Sequence, residues 1–406
     1  VLKYVSLLIL WAFNVTESFA QNRFFAQAII DTLASETFAG RGYVANGDNK
    51  AASFISEQFS KLGVKAFPNH THFYGFSFPV NTFPGACSVK IDGKLLKPGQ
   101  DYIVKPGCPT IHKKLKIKPV PNSSSYPVPS NKTAILYDTS YKFDKTDYQN
   151  FNRYKFKIGL QKKLTWSVST EQDATGGIDI LKSSWPENAK KIRIKIDAKL
   201  INHQAGNVLG YIEGSKVKDT FIVLTAHYDH LGKMGKTIFP GANDNASGVA
   251  MMLDMANYFS KNPCKYSVAF IAFAGEEAGL IGSKDYTDNP WAELPLSKMK
   301  FLVNLDLMGS GEKGMAVVNA TMFPEYFNKL KSANDANHYL TGFKSRGKAA
   351  NSDHYWFTER GVKGFFFYLM GDYNHYHDIQ DNRDNLKLGP YYDKSFRLIR
   401  DFISLI

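Results

Sequence analysis

A chain of 406 residues with 44% hydrophobic and 14% aromatic side chains is long enough to bury a substantial core and to divide into two or three domains. Its three cysteines, Cys87, Cys108 and Cys264, are too few for a disulfide scaffold, and none has the spacing of a cysteine zinc site. The net charge of +13 is local, because 22 Lys and Arg stand against 10 Asp and Glu between Asn81 and Leu200, and with no nucleic-acid-binding motif beside them no nucleic-acid partner is expected.

Along the chain, Lys3 precedes an apolar run over 5–13, then polar Asn14, Thr16 and Glu17, then Ser18-Phe19-Ala20. This pattern predicts a secretory signal peptide, 1–20, cut after Ala20, and hence a secreted or periplasmic protein. The apolar run falls short of the roughly 20 residues that cross a bilayer, so no membrane span is expected after cleavage. From 21 to 62 the pattern is helical: Ala51, Ala52, Ile55, Phe59 and Leu62 recur at three- and four-residue steps, and Gly63 ends the run. Between the two helices this implies lies LASETFAGRG (33–42), which a helix end and a glycine turn explain.

Over 78–199 the texture changes to Pro, Gly, Ser and Lys with short alternating runs at 133–137 and 192–196, which predicts a β-rich inserted domain. Its lysines alternate with apolar residues in 113–118 and 191–199, as on the outer face of strands. That face is either simply solvated or meets anionic glycans, lipids or peptides. If a disulfide forms, Cys87 with Cys108 is the expected pair, both lying in this loop-rich stretch.

After 207, apolar runs at 208–212, 221–226, 267–274, 301–305 and 364–369 alternate with helical patterns at 246–259 and after Gly279. Continuous apolar strands need cover on both faces. The expected fold is therefore α/β, a mostly parallel sheet flanked by helices, built from 21–77 and 200–406, with its site on loops beyond the carboxyl ends of the strands.

Five short segments fall at those ends: TAHYDHLG (225–232), GANDNASG (241–248), AFAGEEAGLIGS (272–283), NLDLMG (304–309) and YHDIQD (376–381). They offer imidazole and carboxylate oxygen, the donors zinc takes when no thiolate is present. Each alone is a weak signal, but their occurrence in this order is specific. Together they resemble the co-catalytic zinc aminopeptidases of the M28 peptidase family, which also carry a segment similar to LASETFAGRG and often a protease-associated insert.

The resemblance implies two Zn2+ bridged by Asp244, one completed by His227 and Asp306, the other by Glu277 and His377. It implies peptide substrates cleaved at the N-terminal peptide bond, Glu276 as general base, and Tyr376 as hydrogen-bond donor to the oxyanion. Asp229, two residues past His227, is placed to reach the free nitrogen of that ring. His375 lies close to His377, and the Tyr-His pair favours His377. Ser352-Asp353-His354 resembles a segment lining the family's substrate pocket, which makes Asp353 and His354 candidate substrate-binding residues; a helix N-cap explains Ser352 equally well. Tyr355, Trp356, 365–367 and Tyr368 are expected mostly in the core. Two other readings stay open: a single-zinc glutaminyl cyclase of similar fold, and a receptor-like binding module without catalysis.

Overall fold

The computed structural model describes residues 22–120 and 128–406; the expected signal segment lies outside the described residues. Four strands, Val217–His227, Tyr266–Phe273, Met299–Leu305 and Gly364–Leu369, form the parallel centre of an eight-stranded sheet. Alternate residues of one strand enter different cores, as a pleated strand covered on both faces requires. Ile222 and Leu224 pack with the helices Arg23–Leu33, Gly47–Lys61, Gly248–Lys261 and Pro390–Ser404, whereas Phe221 and Val223 pack with Tyr286 and Phe357 of the helices Ile281–Asp288 and His354–Glu359. The sheet is mixed at its margins. Lys199–Ile212 runs antiparallel to Tyr266–Phe273 on one side, and Met315–Val318 antiparallel to Gly364–Leu369 on the other.

The second sheet, also of eight strands, is built between Cys87 and Ile196. Its strand Lys191–Ile196 shows the period of two directly: Ile192, Ile194 and Ile196 are buried, and Lys191, Arg193 and Lys195 are exposed. The chain leaves and re-enters the first sheet through Phe73–Thr82 and Lys199–Ile212, which pair with each other in the register Phe78↔His203 and Thr82↔Lys199. The change of sheet thus falls between Thr82 and Cys87 outward and between Ile196 and Lys199 on return. Leu231, Met234 and Phe239, which follow the His227 strand, are buried in the core of the second sheet, so that sheet packs against the segment that leaves His227. Cys87 and Cys108 are both free thiols, so the pair expected if a disulfide forms is not bridged; the Cys108 thiol donates to the Pro109 carbonyl (3.4 Å) inside this core. Among the described residues no helix is long and apolar enough to cross a membrane.

Candidate metal centre

The parallel strands end side by side, with His227 opposite Phe273 and Leu305 opposite Phe367 in register. His227 closes its own strand, Glu276 and Glu277 lie on the loop after Phe273, and Asp306 follows Leu305 directly. Asp244 lies in the tight turn Ala242–Ser247 that leads into Gly248–Lys261, and His377 stands on the loop beyond Leu369. Gly241, which opens that turn, has φ 64°, and a Cβ there would collide with the Asp244 carbonyl and the His230 ring.

These side chains converge as two groups sharing one carboxylate. His227 Nε2 lies 3.4 Å from Asp244 Oδ1 and 3.5 Å from Asp306 Oδ1. His377 Nε2 lies 3.2 Å from Asp244 Oδ2 and 3.2 Å from Glu277 Oε2. Donor atoms about 2.0–2.2 Å from a tetrahedral zinc are separated by roughly 3.3–3.5 Å, a spacing that the His227 group matches and the His377 group, at 3.2 Å, approaches. Asp306 Oδ1 is buried without a hydrogen-bond partner, which a cation would supply. Looser combinations, His227 with Glu276 and Asp306, and His230 with Asp244 and Glu277, also bring donor atoms within 4.8 Å. The contact of His230 Nδ1 with Glu277 Oε1, at 2.6 Å, is a hydrogen bond rather than a co-ligand spacing, so His230 steadies Glu277 through the oxygen not turned to His377.

Crowded carboxylates set the protonation of the cluster. Burial alone would lower His227 and His377, yet the carboxylates of Glu276 and Asp306 hold His227 well above its ordinary range, and Glu277 and Asp244 hold His377 at about 11. The two adjacent glutamates are driven apart. Burial and the charge of Glu277 push Glu276 well above the usual carboxylate range, while His377 and His230 outweigh burial at Glu277 and hold it well below. A carboxylate kept ionised suits a metal ligand, and one that readily takes a proton suits an acid–base role. Tyr376 stacks on His377 with ring centroids 3.9 Å apart; the residue is 49% exposed, and partial burial together with the surrounding carboxylates raises the phenol.

The supporting contacts include several that the sequence does not announce. Asp229 does not use its carboxylate on His227. The nearest approach to Nδ1 is 3.8 Å, and the Asp229 main-chain carbonyl takes that nitrogen instead, at 3.2 Å. The carboxylate is engaged by closer donors: the Tyr43 hydroxyl (2.7 Å) and the backbone N–H groups of Glu276 (3.2 Å) and Glu277 (3.3 Å). Asp381, in the same segment as His377, accepts from the N–H groups of Asn243 (2.7 Å) and Asp244 (3.0 Å). Arg41, from LASETFAGRG, is fully buried and donates to the carbonyls of Leu33, Tyr228, Pro240, Gly241 and Asp244, holding the Asp244 turn from the other side. Ser352 donates to Asp306 Oδ2 (3.1 Å) and caps no helix.

The segment between the strands Phe156–Gln161 and Gly176–Leu181 reaches the centre as well. The Trp166 carbonyl accepts from His377 Nδ1 at 2.7 Å, and the Trp166 N–H donates to the His377 carbonyl at 3.2 Å. His375 instead packs edge-on against Tyr373.

A cavity of about 210 Å3 opens over His227, Asp244, Glu276, Asp306 and His377, walled by Leu307, Arg346, Asn351, Phe366, Tyr368 and Tyr376. Phe366 is buried and Tyr368 half-buried, so the expected core position of Tyr368 is instead part of the cavity wall. Asp353 and His354 do not line it. Both are buried at the start of His354–Glu359, where burial pushes Asp353 up to about 7 and His354 down to about 3. A larger concavity, about 860 Å3, lies on the lysine-rich outer face of the second sheet; it holds one carboxylate, Asp92, and no imidazole, so the chemistry belongs to the smaller cavity. His230 and Asp381 stand inside segments already singled out and were legible there as extra donors; Trp166 and Arg346 carry no such signal.

A family model described as peptidase family M28 matches residues 207–402, the stretch that contains all five candidate ligands and Glu276. Aminopeptidase YwaD of Bacillus subtilis is 34% identical over 187 residues, 45% of this chain and 39% of that protein. A vacuolar membrane protease of Candida glabrata is 28% identical over 190 residues, 46% of this chain and 19% of that protein. The chain spans about two fifths or less of these relatives' length. Among solved structures, a zinc aminopeptidase from Bacillus subtilis aligns with a TM-score of 0.71 at 19% identity, covering 95% of each chain. An aminopeptidase from Aneurinibacillus sp. strain AM-1 aligns at 0.66 and 20% identity, covering 95% of this chain and 93% of that one. These likenesses establish a common fold.

Proposed function

Through residues 207–402 the chain belongs to peptidase family M28, and from that premise we propose that it is a secreted or periplasmic aminopeptidase that holds two zinc ions and hydrolyses the N-terminal peptide bond of peptides. The observation that carries this reading is the division of Asp244, each of whose oxygens faces its own group: His227 and Asp306 on one side, His377 and Glu277 on the other. Those residues would hold the two ions, with Asp244 between them. When bound, the ions supply Lewis-acid polarisation of the scissile carbonyl and make a water molecule more acidic.

The chain's own groups do the rest. Glu276, whose surroundings favour taking a proton, accepts one from the attacking water and passes it to the leaving amine nitrogen. Tyr376, half open above His377, donates its hydroxyl to the oxygen that becomes negative as the carbonyl is attacked. Asp229 fixes the main chain of Glu276 and Glu277, so base and ligand keep their separate directions. A cavity of about 210 Å3 above these groups has room for the end of a peptide rather than its middle.

Metal analysis of the purified protein is expected to return two zinc ions per chain. Glu276→Gln is expected to keep both while kcat on aminoacyl substrates falls at least about a hundredfold, the size of a lost general base. Near-normal turnover in the zinc-loaded variant removes Glu276 from that role. One tight ion, with N-terminal glutaminyl substrates cyclised and none hydrolysed, replaces this reading with the cyclase.

A further inference from the structure

The cavity wall holds one fixed cation that the proposed reaction does not use. Arg346 follows the short strand Phe343–Ser345, and its main chain is pinned, its N–H donating to the Val317 carbonyl at 2.9 Å. The guanidinium lies over the Tyr368 ring, 5.8 Å from its centroid, and one Nη1 donor reaches the Tyr368 hydroxyl at 3.1 Å. Among the described residues it forms no ion pair, unlike Arg360 with Asp288 or Arg400 with Asp401. The remaining wall is apolar or neutral: Leu307, Phe366, Tyr368 and Asn351. All the carboxylates of the cavity lie on its metal-binding floor.

A peptide entering this cavity brings one obligatory positive charge, its α-ammonium. That group is drawn to the floor and repelled by Arg346, so the guanidinium meets a different part of the substrate. Its unused N–H donors form a planar fork that matches a carboxylate, and an aromatic face behind them keeps the fork oriented.

We propose that Arg346 is a specificity residue that makes this cavity select substrates carrying a carboxylate close to the N-terminal residue. The proposal rests on the aminopeptidase reading for its substrate class. Such a carboxylate has two sources: an Asp or Glu side chain at the N-terminus, or the free C-terminal carboxylate of a dipeptide.

The test uses the zinc-loaded full chain. One arm compares kcat/KM for Asp and Glu p-nitroanilides with the isosteric Asn and Gln compounds; the other compares Leu-Leu with Leu-Leu amide. Calorimetric binding of free Asp against Asn, and of glycyl-D-alanine against its amide, provides a readout that needs no turnover. One arm should favour the carboxylate by about tenfold or more, the range of a charge-assisted hydrogen bond, and which arm does so identifies the source. Arg346→Gln should bring that ratio close to one at unchanged zinc content, and Arg346→Lys should restore only part of it, because an ammonium lacks the fork. Equal treatment of acid and amide in both arms overturns the proposal, as does a preference that survives in Arg346→Gln. If none of the substrates is hydrolysed, the aminopeptidase reading fails on that result, and the binding ratios still decide the role of Arg346.

Discussion

Trp166 lies outside the matched peptidase region, yet its main chain grips His377 twice, through the 2.7 Å bond to Nδ1 and the 3.2 Å bond to the carbonyl. His377 has φ 55°, a left-handed conformation that costs a non-glycine residue on the order of 1–3 kcal/mol and persists only where its surroundings impose it. The grip is itself anchored. Trp166 is 3% exposed, its ring packs tilted against Phe239 with centroids 4.6 Å apart, and its indole N–H donates to the Val104 carbonyl at 2.8 Å. Trp166→Phe keeps most of the packing and leaves that buried carbonyl without its donor, for a loss of about 1–3 kcal/mol of stability. Trp166→Ala also removes the ring and should cost about 3–5 kcal/mol. Loss of the partner of a metal-binding histidine lowers metal affinity about ten- to a hundredfold. Zinc at the His377 group should therefore weaken by at least about tenfold in Trp166→Ala and less in Trp166→Phe, while the His227 group keeps its affinity. Competition with a chromophoric chelator, run beside urea unfolding, measures both quantities. If the variants lose the expected stability while both zinc affinities stay at the wild-type level, the Trp166 main chain does not govern His377 and the argument is wrong.

Asp381→Asn removes one of the oxygens that receive the N–H groups of Asn243 and Asp244 and sets an amide donor against a backbone donor, so stability should fall by about 1.5–3 kcal/mol and both zinc affinities should fall together. A chelator titration in which only one affinity moves would contradict a hold on the Asp244 turn. Asp254 is pushed up to about 6, first by burial, despite the hydrogen bonds from the Asn22 N–H and the Tyr392 hydroxyl. Because its folded pKa lies above the unfolded value of about 3.9, its contribution is fully present below pH 4 and is lost as pH rises through 6. Asp254→Asn should accordingly gain on the order of 2–3 kcal/mol relative to wild type between pH 4 and pH 7 in urea unfolding, and a difference that does not change with pH would refute the shift.

Much of the centre was legible because the chemistry is local in the chain. Each candidate ligand lies in a segment of six to twelve residues at the end of an apolar run, and a parallel sheet brings the ends of such runs together whatever lies between them. The α/β class follows from the same alternation of buried strands and helices. What failed was inference about which partner a side chain would choose. Asp229 stands two residues past His227, but three N–H and O–H donors compete for its carboxylate, and two of those belong to a loop 47 residues later.

The sequence by itself determined the apolar strands of the parallel centre and the order of the candidate ligand segments, since these depend on residue type and on neighbours a few positions away. Only the tertiary structure decided what surrounds them. Arg41 reaches the Asp244 carbonyl across 203 positions, and the Trp166 carbonyl meets His377 across 211. Arg346 is brought to the cavity by a short edge strand that no periodicity marks out. The reason is physical: a buried main-chain carbonyl or guanidinium must find a partner, any residue of suitable chemistry satisfies it, and the fold alone places that residue within 3 Å.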